Sequence, residues 1–221
     1  AALKFKLSSA KSTVRFVLAL APSAADFDDL RSRARVLFNL SSENLITAQR
    51  QQWHGYLAGL NDLGQKREVD VLVLKGLEDR NFWGSLVASP TNPSLPYSVE
   101  ASETNYDLAR RRQQDANGGY RRVWPRDLVQ MGLGLAAAGD KFTPLNILRF
   151  LKRTQLANGT WSQNMWVDGT PSWTGFQIDQ TGFPIILTSY LVEQGLANYG
   201  EFRSMVKHAA DALVDKGPFT D

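Results

Sequence analysis

Cysteine is missing from this 221-residue sequence, and histidine is nearly so, with only His54 and His208. The first absence removes thiol nucleophiles, disulfide frameworks and thiolate metal sites, and the second removes histidine-dependent triads and zinc fingers. Hydrolytic chemistry, if it is written here, has to run on carboxylates. Long apolar runs are also lacking. The best candidates, residues 16–25 and 131–139, fall short of the ~18 apolar residues that cross a bilayer, so a membrane-spanning helix is excluded. Neither sign of charge dominates, since 25 Lys and Arg face 22 Asp and Glu for a net charge of +3. The basic cluster Arg110-Arg111-Arg112 with Arg121-Arg122 is not interleaved with stacking aromatics or set on a groove-reading helix. It reads as solvated surface, and no nucleic-acid partner is expected. No spacing of Asp, Asn and Gly resembles a calcium loop, so neither metal nor cofactor is expected. The chain opens Ala1-Ala2-Leu3-Lys4 without a basic region or cleavage-site pattern, so any signal peptide would have been removed or lie upstream.

What is present is organised along the chain. Residues 1–22 alternate in the manner of two strands, Lys4-Phe5-Lys6-Leu7 and Val14-Arg15-Phe16-Val17-Leu18, around a polar turn. A lone hairpin is marginal in water, so these strands are expected to finish a β-sandwich whose earlier part lies outside the sequence. Residues 23–64 carry Phe27, Leu30, Ala34 and Leu37 at helical spacing and read as a helical linker. From residue 65 to 221 the pattern is helical, and five segments are marked by their punctuation. The first covers Glu68–Asn81, with Val69, Leu72, Val73 and Leu77 on one side. The second runs Asp127–Gly139, where Gly132 and Gly134 allow close approach of a neighbour. The third is capped by Thr143, begins at Pro144 and stops near Gly159. The fourth covers about Phe183–Gln194, and the fifth about Gly200–Lys216, with Phe202, Val206, Ala209 and Leu213 inward and Gly217-Pro218 as its stop.

The connections between these helices alternate long and short. In an up-down array every second connection emerges at the same end, so the long loops are expected to share one face, and that face is where a site belongs. Four of the six Trp lie in the two long loops, as Trp124, Trp161, Trp166 and Trp173, and Trp83 stands at the mouth of the first. Flat aromatic faces beside Arg126, Asp127, Gln177 and Asp179 suit a sugar ring, with its apolar C–H faces and directional hydroxyls. The same residues are also compatible with aromatic plugs in a helical core and a structural Arg126–Asp127 ion pair.

The ordered run Gly119-Tyr120-Arg121-Arg122-Val123-Trp124-Pro125-Arg126-Asp127-Leu128, then Asn158-Gly159, Trp161, Asn164, Asp168-Gly169 and Trp173-Thr174-Gly175-Phe176-Gln177-Ile178-Asp179, resembles glycoside hydrolase family fifteen, the bacterial glucoamylase and glucodextranase family. Glu78-Asp79 with Gly84-Ser85-Leu86-Val87-Ala88-Ser89-Pro90 is similar to the first barrel helix and its loop in that family. The resemblance implies a mainly α fold, the first five of twelve helices of an (α/α)6 barrel, preceded by the β-sandwich end and the helical linker. It implies an inverting, exo-acting hydrolase that releases glucose from non-reducing ends of α-glucans, maltooligosaccharides or isomaltooligosaccharides. An extracellular or periplasmic location is implied with it.

By the same resemblance Tyr120 faces the anomeric carbon, Trp124 walls the glucose pocket, Arg126 and Asp127 hold the 4- and 6-hydroxyls, and Trp173 stacks beside the catalytic acid. Trp166, Gln177 and Asp179 support them. One departure is Asp179-Gln180, where the bacterial branch usually has Asp-Glu. A larger one is that no general acid or base is found. Both catalytic carboxylates are expected downstream of Asp221, so this chain alone is expected to be inactive and to need the rest of the barrel as a second polypeptide or a later segment. A transglucosylase on the same fold and a non-catalytic glucan-binding protein are the alternative readings.

Overall fold

The computed structural model describes residues 27–62, 64–90 and 120–217. The expected strands within residues 1–22, the Arg110–Arg112 cluster and the final Pro218–Asp221 lie outside the described residues. The chain divides into two units, Ala1–Tyr56 and Leu57–Asp221. The first holds α1 (Phe27–Asn39) and most of α2 (Ser42–Ala58). In α1, Asp28 and Asp29 sit in the first turn, where the helix dipole favours them, and pair one turn on with Arg31 and Arg33 at 3.2 and 2.9 Å. Ser41 Oγ caps α2 by accepting from the Asn44 amide at 3.0 Å. Val36, Leu37, Phe38 and Ile46 are exposed.

The second unit is built from α3 (Gln65–Gly76), α4 (Pro125–Ala137), α5 (Thr143–Thr154), α6 (Ile178–Glu193) and α7 (Tyr199–Lys216). Between α5 and α6 runs an antiparallel pair, β1 (Asn164–Met165) and β2 (Pro171–Trp173). Helix α4 packs on α5 and α6, and α6 packs on α7. The core draws Leu128 and Leu135 from α4, Ile147, Leu148, Phe150 and Leu151 from one face of α5, Leu187 and Leu191 from α6, and Phe202 and Ala209 from α7, all fully buried. A Cβ added at Gly132 would come within 3.2 Å of Ile147 and 3.3 Å of Leu187, so α4 carries glycine where two helices close on it.

The five expected helices are present, with shifted ends. Helix α3 stops at Gly76, short of Asn81; of the residues expected on one side, Val69 and Val73 are exposed and Leu72 and Leu77 half-buried, while Val71 is buried. A segment apolar on both sides does not fix its own inward face. Thr143 is the first helical residue of α5 and not its cap. Asp140 Oδ1 does the capping, accepting from the amides of Phe142 and Thr143 at 2.9 Å each. Helix α5 ends at Thr154, short of Gly159. Helix α6 starts at Ile178 and carries Pro184 within it, so Asp179 and Gln180 belong to its first turn. Helix α7 ends at Lys216 as expected, but buries Met205 and Ala212 where Val206 and Leu213 were expected inward.

Two glycines fix how the loops seat. Gly84 has φ +80° and Gly159 has φ +83°, a region L side chains rarely adopt. A Cβ at Gly84 would lie 2.2 Å from the carbonyl oxygen of Asn146 in α5, and one at Gly159 would lie 2.1 Å from that of His208 in α7.

Candidate functional site

The two long loops meet. Val123 and Met165 exchange both backbone hydrogen bonds at 2.9 Å, joining the end of the α3–α4 loop to β1. The beginning of the α3–α4 loop is tied to its end as well, through Ala88 N to Arg122 O at 2.9 Å and Ser89 N to Tyr120 O at 3.1 Å. Below that seam Glu78 is buried and accepts from Gly84 N at 3.0 Å and from Lys75 Nζ at 2.5 Å, while Lys75 Nζ also donates to Thr143 Oγ1 at 2.6 Å. Glu78 and Asp79 are thus framework: Asp79 Oδ1 accepts from the amides of Asn81 and Phe82 at 2.8 and 3.0 Å.

From this seam two helices start. Pro125 opens α4 with its φ already helical, and Trp124 before it is extended, which puts Arg126 and Asp127 in the first turn. Gln177 is likewise extended before α6, so Asp179 occupies the matching position there. Arg126 Nη1 donates to Asp179 Oδ2 at 2.9 Å, and Arg126 Nε lies 3.8 Å from Asp127 Oδ2. All three side chains are about two-fifths exposed. They form a cation flanked by two carboxylates, open to a ligand. Asp127 also lines a cavity of about 290 Å³ with Leu74, Leu77, Ala88, Gln130 and Met131. A second cavity of about 330 Å³, between α6 and α7, has Glu193 as its one charged group, and that side chain accepts from Ser189. It is the larger of the two, but only the first is lined by an expected site residue, Asp127.

Aromatic rings stand on the same two loops. Tyr120 and Trp124 meet at 5.6 Å between ring centroids with a 39° tilt. Trp166 and Trp173 are drawn together by a residue expected on the surface. Arg122 is 4% exposed, with its guanidinium carbon 4.9 Å from the Trp166 ring centroid and 5.9 Å from that of Trp173. Burial holds the Arg122 guanidinium below its ordinary pKa. The expected solvated Arg121-Arg122 pair is therefore split, with Arg121 exposed and Arg122 buried.

The structure thus gathers the expected residues into three clusters, Arg126 with Asp127 and Asp179, Tyr120 with Trp124, and Trp166 with Trp173. Gln177 stands apart: its Oε1 accepts from Gln180 Nε2, and Gln180 is buried, with its own Oε1 lacking a partner among the described residues. Trp161 belongs to the core, buried with its indole N–H donating to Leu151 O at 2.9 Å. Asp168 serves a turn, accepting from Thr170 N at 2.8 Å, with Gly169 at φ +95°. Three residues were not singled out for the site by the sequence: Arg122, Gln130 and Asn164, the last fully buried opposite Trp173 with neither amide atom partnered among the described residues. Among the described residues no group of three or more His, Cys, Asp or Glu is placed to hold a metal ion, and no helix is long and apolar enough to cross a membrane.

No family model matches the sequence. A glucoamylase from Clostridium sp. (strain G0005) is 32% identical over 182 residues, covering 80% of this chain and 23% of that protein. An uncharacterised glycosyl hydrolase of Methanocaldococcus jannaschii is 38% identical over 63 residues, covering 28% of this chain and 10% of that protein. The backbone superposes on the crystal structure of a bacterial glucoamylase complexed with acarbose with a TM-score of 0.69 and 28% identity, over 90% of this chain and 27% of that one. The chain spans about a quarter of the length of the glucoamylases it matches. Sequence and backbone thus both liken this chain to bacterial glucoamylases, in line with the resemblance to glycoside hydrolase family fifteen.

Proposed function

We propose that this chain supplies the sugar-binding loops of an exo-acting, inverting α-glucoside hydrolase that releases glucose from non-reducing ends of α-glucans. One observation carries the proposal: the Arg126–Asp179 ion pair with Asp127 beside it, at the starts of the two helices that follow joined, tryptophan-bearing loops. The acarbose held by the solved bacterial glucoamylase supports an oligosaccharide as the ligand.

In this reading Arg126 donates to, and Asp127 accepts from, the 4- and 6-hydroxyls of the terminal glucose. A sugar with the wrong hydroxyl configuration leaves a charged group unpaired, which disfavours it strongly. Trp124 and Trp173 offer their faces to the ring, and Tyr120 faces the anomeric carbon as positive charge develops there. Asp179 holds Arg126 in place, and Trp166 and Gln177 complete the support. Inverting hydrolysis needs an acid and a base about 6.5–9.5 Å apart, so that water fits between base and sugar. Both are assigned to segments of the whole enzyme outside this chain. Asp179 is engaged by Arg126, and Asp168 caps its turn, so neither is offered as proton donor or base.

The test is product analysis by proton NMR, with the full-length protein acting on maltose and on isomaltose. β-Glucose as the first-formed product supports the proposal. Longer oligosaccharides in place of glucose would make the protein a transglucosylase, and binding without turnover would make it a glucan-binding protein.

A further inference from the structure

We infer that Arg122 is a positioning residue whose buried guanidinium holds the indole rings of Trp166 and Trp173 in register at the sugar site. The inference rests on the proposed function for its kinetic part and on geometry alone for the clamp. The backbone fixes Arg122 independently of its side chain, since its carbonyl accepts from Ala88 N and its neighbour Val123 is paired with Met165. Met165 precedes Trp166, and Asn164 on the same strand stands opposite Trp173. The pairing therefore delivers two rings from the second loop to one cation from the first.

A cation that is 4% exposed has given up most of its water, and aromatic faces return part of that solvation through their quadrupoles. The rings gain a fixed partner. Trp166 and Trp173 remain 36% and 45% exposed, so each has surface left for a ligand while Arg122 holds it from the protein side. A planar guanidinium does this and an ammonium does not. Arg stacks flat on an indole, whereas Lys is a compact, strongly hydrated point charge.

The test compares Arg122→Lys and Arg122→Met in the full-length protein labelled with 5-fluorotryptophan. The Trp166 and Trp173 resonances are assigned from Trp166→Phe and Trp173→Phe. Without sugar, both Arg122 variants should move those two fluorine resonances and leave the Trp161 resonance in place. With maltose, KM should rise by about tenfold while kcat stays within about threefold, the size expected for loosening a desolvated cation–π contact worth one factor of ten. In a double-mutant cycle, Arg122→Lys should cost less once Trp173 is already Phe. Unmoved Trp166 and Trp173 resonances overturn the clamp whatever the kinetics, as does a Lys variant indistinguishable from wild type. Moved resonances with unchanged KM uphold the clamp and refute the sugar-site reading beneath it. If the Met variant fails to fold, the Lys variant and the cycle still decide.

Discussion

Asp127→Asn keeps the shape of the side chain and removes its charge, so it separates a residue that binds substrate from one that holds the fold. The structural cost is small by two counts. Asp127 is 42% exposed and its contact with Arg126 is 3.8 Å long, so the pair contributes at most about 1 kcal/mol after solvent screening. Its place in the first turn of α4 adds a dipole interaction of about 0.3–1 kcal/mol, most of which the neutral amide loses. Together these predict a loss of about 1 kcal/mol and a shift of a few degrees in Tm. A charged hydrogen bond to a sugar hydroxyl that strengthens in the transition state is a larger quantity, about 2–4 kcal/mol, or roughly 30- to 1,000-fold in kcat/KM. The assay is kcat/KM of the full-length enzyme on maltose beside a thermal melt of the same preparation. A kcat/KM within about threefold of wild type, or a fall matched by collapse of the melt, would refute the assignment.

Other outcomes follow from particular contacts. Gly159→Ala forces a side chain into positive φ and onto the His208 carbonyl, so unfolding free energy should drop by several kcal/mol, read as the shift in a urea midpoint. Asp140→Ala removes the cap of α5 and should cost about 1 kcal/mol, seen as a lower Tm without change in KM. Gln180→Glu places a carboxyl at a site 1% exposed, which raises its folded pKa above the unfolded value near 4.3. Relative to the parent, its stability deficit should be small below that pH and grow as pH rises through the folded pKa, so melts at pH 4 and pH 7 should differ. Activity of Gln180→Glu at neutral pH should change only modestly. A gain of several orders of magnitude would instead mark Gln180 as a disabled acid.

Most of the helical frame was legible because punctuation in the sequence is chemical. Pro144 lies in the first turn of α5, Gly217 follows α7, and the alternation of long and short connections survives any error in a single end. The ends that moved had no local signal. Gln177 caps α6 by backbone alone, and Pro184, a residue that often opens helices, stands inside this one. Which face of α3 turns inward was not legible, because valine and leucine occupy both of its sides. The aromatic loops were legible as a concentration, but their division was not. Trp161 and Trp166 differ little by neighbours, yet one donates its N–H inside the core and the other lies partly open against Arg122. Arg122 itself was hidden because its partners come from the next loop, a distance that local pattern does not span. For the ion pair, the neighbour in sequence, Asp127, was the visible candidate, and the closer partner, Asp179, arrives through α6.

The two glycines that abut carbonyl groups imply something about how error spreads. Gly84 follows α3 and leans on α5; Gly159 follows α5 and leans on α7. The relation is the same each time: a loop leaving one helix seats on the helix two places further along the chain. A side chain at either glycine would therefore push apart two elements that are distant in sequence, so the damage would reach a helix well down the chain from the substituted residue.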